Sequence, residues 1–338
     1  MTVLSRSMPA VMIHAVPTRT VSLVGVPTRY GTAYPGCEQT PHLLQTQGVV
    51  ARLARRLALA DHPVRLVQEA TIPLPDEPWT GTGFPLRSLP QVRTVARRQA
   101  EAIGHVLEQG AAPLIVGGDC TTMLGTALAL QLAGRSFGLV CFDAHGDFNT
   151  EQTTPSGNIH GMTVSALTGR GHPSLLSLFD RLPVVSEHRV ALVGVRDLDP
   201  SEAVALASSA VTLLDPAALR DFGAGKTGNR ALEVALSPIH GEAPDGLLLH
   251  VDLDVLDPSE TRGMGLPIPG GLSLRDLLDA LQPLLASRRL FAIELTEAAP
   301  ALEPSGRAMH LVEALLERFA TAIGPHHSIH GPTGHPRE

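Results

Sequence analysis

Two short stretches carry residue types that hold cations. The first is Phe142-Asp143-Ala144-His145-Gly146-Asp147, where an aliphatic run gives way to a loop. In extended chain alternate side chains point the same way, so Asp143, His145 and Asp147 converge on one point. The second is His250-Val251-Asp252-Leu253-Asp254-Val255-Leu256-Asp257-Pro258, where an apolar run ends in alternating carboxylates and Asp257-Pro258 supplies a turn. Asp and Gly are also ordinary loop residues after a strand. Carboxylates crowded at the end of a core strand, however, cannot all stay ionised cheaply unless a cation or an arginine neutralises them. His250, at an apolar strand position, reads first as a core residue or one lying behind the ligands. Four Asp carboxylates and one His nitrogen form a hard, mostly anionic set that suits Mn²⁺ or a similar divalent ion. More carboxylates than one ion needs points to two ions sharing bridging aspartates, and so to hydrolysis by a hydroxide held between them.

Weaker signals lie at two other apolar run ends, Val116-Gly117-Gly118-Asp119-Cys120 and Ile293-Glu294-Leu295-Thr296-Glu297-Ala298-Ala299-Pro300. Between the metal motifs run Asn149-Thr150 and Thr154-Pro155-Ser156-Gly157-Asn158-Ile159-His160-Gly161-Met162. Alone, a Gly-Gly turn is common and a lone His160 is more often structural.

The elements that must position these groups are legible as eight β-branched, aliphatic runs: Val21–Val26, Val64–Gln68, Pro113–Gly117, Phe137–Phe142, Arg189–Gly194, Val211–Leu214, Gly246–Val251 and Leu290–Leu295. They alternate with helical stretches such as Val49–Leu59, Val92–Gln109, Thr121–Leu132, Leu274–Leu285 and Ala308–Ala322. Such alternation predicts an α/β protein of three αβα layers around an eight-stranded, mostly parallel sheet. Parallel sheets gather their sites at the carboxyl ends of strands, where both acidic clusters fall. No Pro/Ser-rich linker or fixed repeat divides the chain, so one domain over residues 20–322 is expected. It would lie between a flexible segment 1–19 and a flexible His/Pro/Gly-rich tail 323–338.

Composition removes whole classes of function. With 26 Lys+Arg against 33 Asp+Glu the formal charge is -7, the wrong sign for a nucleic-acid binder. Lys226 is the one lysine, and Gly225-Lys226-Thr227 is not a phosphate loop, because Arg220 stands where the earlier glycine is required. Three scattered cysteines, Cys37, Cys120 and Cys141, fit a reduced, cytoplasmic protein. No apolar run approaches the roughly 20 residues that span a bilayer, so no membrane partner is expected.

Taken in order, Gly117-Gly118-Asp119, then Asp143-Ala144-His145-Gly146-Asp147, then Asp252-Leu253-Asp254 with Asp257-Pro258 resemble the ureohydrolase superfamily of arginases, agmatinases and formiminoglutamases. The resemblance runs from Val21 to Ala322 and is most similar to arginase. It implies two Mn²⁺ ions and hydrolysis of L-arginine to L-ornithine and urea. One ion would be held by residue 120 with Asp143, Asp147 and Asp252, the other by His145 with Asp143, Asp252 and Asp254. The same resemblance implies that Asn149 and Ser156 clamp the α-carboxylate and that Asp199 receives the α-amino group. His160 would shuttle protons, and Glu297 would face the guanidinium. It further implies a homo-oligomer, trimer or hexamer, acting on a small guanidino substrate.

The pattern is broken at three places. Cys120 stands where the family has a histidine: a thiolate is soft and favours zinc, and a neutral thiol would leave one ion short of a ligand. A metal-deficient, catalytically impaired member is the reading this swap leaves open. Leu266 replaces a threonine and Ala299 an asparagine, which is expected to make the pocket less polar and to admit another guanidino or formimino compound as substrate.

Overall fold

The computed structural model describes residues 19–77, 81–220, 246–287 and 289–323, together with 232, 236, 237 and 239. The segment around Lys226 and the two expected flexible ends lie outside these residues, apart from Arg19, which opens the first strand, and Ile323. Each aliphatic run becomes a strand: β1 (Arg19–Val26), β2 (Val64–Thr71), β3 (Ala112–Gly117), β4 (Phe137–Phe142), β5 (Val190–Val193), β6 (Thr212–Leu214), β7 (Gly246–Asp252) and β8 (Leu290–Thr296). They form one sheet in the order β2-β1-β3-β8-β7-β4-β5-β6. Every neighbouring pair is parallel, so the expected mostly parallel sheet is wholly parallel among the described residues.

Burial explains why the central strands read as continuous apolar runs. Every residue of β3, β4, β7 and β8 is buried, as it must be where helices cover both faces. Alternate residues feed two apolar layers. On one face Val140, Phe142, Leu249 and Val251 pack with Leu53 and Leu57 of helix Val49–Ala58, Leu281 of helix Leu274–Ser287 and Phe319 of helix Arg307–Ala322. On the other, Leu139, Cys141 and Leu248 pack with Ile103 of helix Leu89–Glu108 and Leu124 of helix Thr122–Leu132. The latter helix is buried on nearly all sides, which is why its sequence is apolar around its whole circumference.

Three devices bring loops together at the carboxyl edge of this sheet. Gly118, just past β3, donates its N–H to the Val26 carbonyl at 2.8 Å and accepts from the Glu297 N–H at 2.8 Å. A Cβ there would lie 1.6 Å from the Thr28 carbonyl oxygen, so only glycine lets the ends of β1, β3 and β8 approach so closely. Arg196, after β5, spends its guanidinium on backbone carbonyls, with Nη2 donating to Asp254 at 2.7 Å and Ile268 at 2.8 Å and Nη1 to Gly194 at 3.1 Å. Asp257 forms the expected turn and accepts from the N–H groups of Ser259 at 2.9 Å and Gly270 at 2.8 Å.

Gly118→Ala is expected to destabilise the fold by about 3 kcal/mol, since backbone rather than a flexible side chain must yield, and a denaturant titration measures it. A second expectation concerns acid. Hydrogen bonds from Ser259, with Gly270 adding to them, hold the Asp257 carboxyl down to about 2. Its ordinary value is about 3.9, so its contribution is complete above pH ~4 and is lost as the pH falls through the folded value. Melting temperatures taken between pH 4 and pH 2 should therefore fall less steeply in Asp257→Asn than in the parent chain.

Candidate metal centre and active site

Strands β3, β8, β7, β4 and β5 are consecutive neighbours in the sheet, so their carboxyl ends open onto one crevice. β3 delivers Cys120, β8 Glu297, β7 Asp252 and Asp254, β4 Asp143, His145 and Asp147, and the loop after β5 delivers Asp199. The crevice is a cleft of about 250 Å³ whose walls include Cys120, His145, Asp147, Asn149, Ser156, His160, Asp199, Asp252, Asp254 and Glu297. Asp143 lies buried beneath them. Cys120 and Glu297, 177 positions apart in the chain, thus share one site because crossovers place their strands side by side.

The acidic groups are fixed by backbone donors. The N–H of His145 donates to Asp143 Oδ1 at 2.6 Å, that of Ala144 to Asp254 Oδ1 at 3.0 Å, and that of Asp254 to Asp252 Oδ1 at 2.8 Å. His145 Nδ1 lies 3.0 Å from Asp254 Oδ2 and 3.4 Å from Asp143 Oδ1. Asp147 accepts from the Thr163 hydroxyl at 3.0 Å, and the Cys120 thiol donates to Asp252 Oδ2 at 2.9 Å. Asp147 and Glu297 both hold positive φ, 49° and 53°, a region non-glycine residues enter at a cost. In each case the backbone is bent at a residue whose carboxylate faces the cleft.

Electrostatics separates these carboxylates. Burial raises the pKa values of Asp143, Asp147 and Asp252, and neighbouring aspartates raise them further. Asp254 alone of the four is lowered: burial works against its charge, but His145 and the Ala144 N–H outweigh it. His145 is raised in turn, since Asp254 and Asp143 overcome its burial. Burial also pushes the Cys120 thiol well up, with Asp252 adding to it. One imidazolium facing four carboxylates leaves an uncompensated negative charge, and the donors are mostly hard oxygens. That donor set fits divalent cations.

Two groups of ligand atoms each lie within 4.8 Å of one another: Asp143, His145 and Asp254; and Cys120, Asp143, His250 and Asp252. They share Asp143, whereas Asp252 stands in the second group only. Asp147 lines the cleft but belongs to neither group, and His250, read from sequence as core, stands in the second. A further group brings Cys120 within the same distance of His160 and Glu297, whose side chains meet at 3.2 Å. Although burial opposes its charge, the Glu297 hydrogen bond raises His160 to about 9.

Also lining the cleft, Asn149 Nδ2 donates to Asp199 Oδ2 at 2.9 Å, and Ser156 lines it with them. Thr153 fixes the Asn149 carbonyl oxygen by donating to it at 2.8 Å. Asp199 caps helix Pro200–Ala207, and Glu202 completes a capping box. Sequence reasoning missed Glu202. It lines the cleft, accepts from the Phe148 N–H at 2.7 Å, and is raised to about 7, chiefly by burial. The Asp-Pro-Ser-Glu spacing was the signal that could have found it. For His250 the signal was its alternation with Asp252 and Asp254.

The two smaller departures separate. Leu266 lines the cleft with Ile268 and Tyr34, and it does make that wall apolar. Ala299 is fully buried, is not among the lining residues, and donates its N–H to Gly263 at 2.7 Å, so the expectation that it lowers the pocket's polarity is corrected. The Glu297 loop turns residue 299 inward, away from the cleft.

Comparison with known proteins agrees with this geometry. The model of the Arginase family matches residues 19–321. The arginase of Bacillus caldovelox is 30% identical over 296 residues, covering 88% of this chain and 96% of that protein. The arginase of Bacillus subtilis strain 168 is 30% identical over 302 residues, with 88% and 98% covered. The solved structure of the Bacillus caldovelox arginase superposes with a TM-score of 0.79 over 90% of this chain and 98% of that one. A family match across nearly the whole chain, relatives at 30% identity over most of both chains and a common architecture lead to one conclusion: this chain belongs to the arginase family.

Proposed function

We propose that the cleft hydrolyses L-arginine to L-ornithine and urea, with two divalent cations, Mn²⁺ by preference, held among Cys120, Asp143, His145, Asp147, Asp252 and Asp254. The observation that carries this reading is the pairing of Asn149 with Asp199 in a cleft that is also lined by Asp147, Asp252, Asp254 and Glu297. An amide donor beside a carboxylate complements the carboxylate and ammonium of an α-amino acid, while Glu297 and the aspartates complement a guanidinium. Bound there, the cations supply the Lewis acidity that makes a water molecule nucleophilic near neutral pH.

The chain's own residues do the rest. Asn149 and the Ser156 hydroxyl take the α-carboxylate, and Asp199 takes the α-ammonium. Glu297 orients the guanidinium and holds His160 in its protonated form. His160 then gives its proton to the departing amine, the step that turns a poor leaving group into a good one. On the same family grounds we propose a homo-oligomer, trimer or hexamer, which sedimentation measures, and, from its three scattered cysteines, a cytoplasmic protein.

A second reading has one observation in its favour. Leu266 sits on the cleft wall, so the guanidino end is less polar than a threonine would make it, and another guanidino or formimino compound would fit there.

Product analysis decides between the two, since a guanidino substrate releases urea and a formimino one formamide. Protein loaded with Mn²⁺ is expected to act on arginine and to lose activity when a chelator removes the ion; faster turnover of agmatine or guanidinobutyrate would sink the arginine reading. Ser156→Ala should raise KM for arginine by roughly tenfold, the loss of one hydrogen bond to a charged group, and leave a substrate without an α-carboxylate unaffected. His160→Asn should lower kcat by about 10² to 10⁴ with little change in KM.

A further inference from the structure

His250 is wholly buried on β7, two residues before Asp252, so both side chains stand on the same face of the strand. Its sheet partner on β8 is Glu294, also wholly buried. His250 Nδ1 meets Glu294 Oε2 at 2.7 Å, and Nε2 meets the Thr296 hydroxyl at 3.1 Å. Glu294 also accepts from the Thr126 hydroxyl, which itself accepts from the Gln99 amide at 2.9 Å. A carboxylate on Nδ1 fixes the tautomer and leaves the Nε2 lone pair outward, the arrangement by which proteins orient an imidazole toward a metal. The hydroxyl of Thr296 is a rotor and can turn its proton away from that lone pair.

We propose that His250, oriented by Glu294, is the nitrogen ligand of the cation at the Cys120 end, so that this ion is held by Cys120, Asp143, His250 and Asp252. The inference rests on reading the cleft as a cation site and assigns a ligand that the family pattern does not place there. One ligand atom from each of these four residues lies within 4.8 Å of the others, and all four residues are buried. Cys120, after β3, occupies the position where the resemblance calls for a histidine, and His250 brings an imidazole to Asp143 and Asp252 from β7, two strands away in the sheet. A purely structural role accounts poorly for the pair. On their face of the sheet Ile115, Cys141, Leu248 and Ala292 are buried and apolar, and a histidine and a glutamate set among them add no stability over an apolar pair of similar volume.

The two ends of the cleft then differ in kind. The His145 end offers nitrogen and oxygen only, whereas the Cys120 end offers nitrogen, oxygen and sulfur, a softer set that suits zinc or cobalt. Binding there releases the thiol proton to solvent and leaves the thiolate on the ion.

Cobalt(II) titration of the metal-free full-length chain reads this directly, through metal content and the near-ultraviolet thiolate-to-cobalt absorption. The parent chain is expected to bind two ions, one of which produces the band, and Cys120→Ser should abolish that band. Glu294→Gln should weaken the band-producing ion by about 10- to 100-fold. His250→Gln should weaken it further, and both variants should leave the second ion within about twofold. The double variant Cys120→His with His250→Ser should regain two ions without the band. Should His250→Gln fail to fold, as judged by circular dichroism, Glu294→Gln decides. Two ions bound by folded His250→Gln or Glu294→Gln at parental affinity with an undiminished band would overturn the assignment while leaving arginine hydrolysis intact. A parent chain that binds no cobalt would overturn both.

Discussion

Four aspartates buried at the carboxyl ends of two neighbouring parallel strands are the constraint around which this protein is organised. Burial and mutual repulsion raise three of them, and a single imidazole, His145, lowers the fourth. Such a cluster is unfavourable in itself. It persists because β4 and β7 are held by wholly buried apolar side chains on both faces and because backbone N–H groups fix Asp143, Asp252 and Asp254. The stability of the sheet is what permits the charge at its edge, and that charge is what a divalent cation neutralises.

The surrounding loops are shaped by the same demand. Gly118 has no side chain because the β1 loop passes across it, and Arg196 spends its hydrogen bonds on the carbonyls of the β7 turn and the Ile268 loop. Asp147 and Glu297 accept unfavourable φ values to face inward. Each is a local cost that the wholly buried strands can carry. Other polar groups of the cleft stand on the segment from Asn149 to Ser156 and at the helix capped by Asp199, where loops can vary without disturbing the strands.

Much of this was legible in the chain. The central strands were readable because a strand covered on both faces must be apolar at nearly every position, and β4 matches its expected limits residue for residue. The acidic motifs were readable because alternation at the end of a strand aims side chains together. What escaped was lateral. His250 looked like core because its own neighbours in sequence are apolar; its company with Glu294, Cys120 and Asp143 comes from strands far away in the chain. Glu202 was hidden as a helix-capping residue, and Ala299 was assigned to the pocket although the backbone turns it inward.

The sequence by itself therefore determined the element types, their parallel arrangement and the ligand chemistry, since periodicity and residue type are local properties. Tertiary structure alone decided the strand order, and with it which groups share an ion. Placing β8 and β7 between β3 and β4 brings residue 120 to residue 252, and residue 250 to residue 294, across gaps that no local pattern encodes. A cysteine at one position and a histidine at another are unrelated facts along the chain. They become neighbours only because parallel crossovers bring the two strand ends to the same edge.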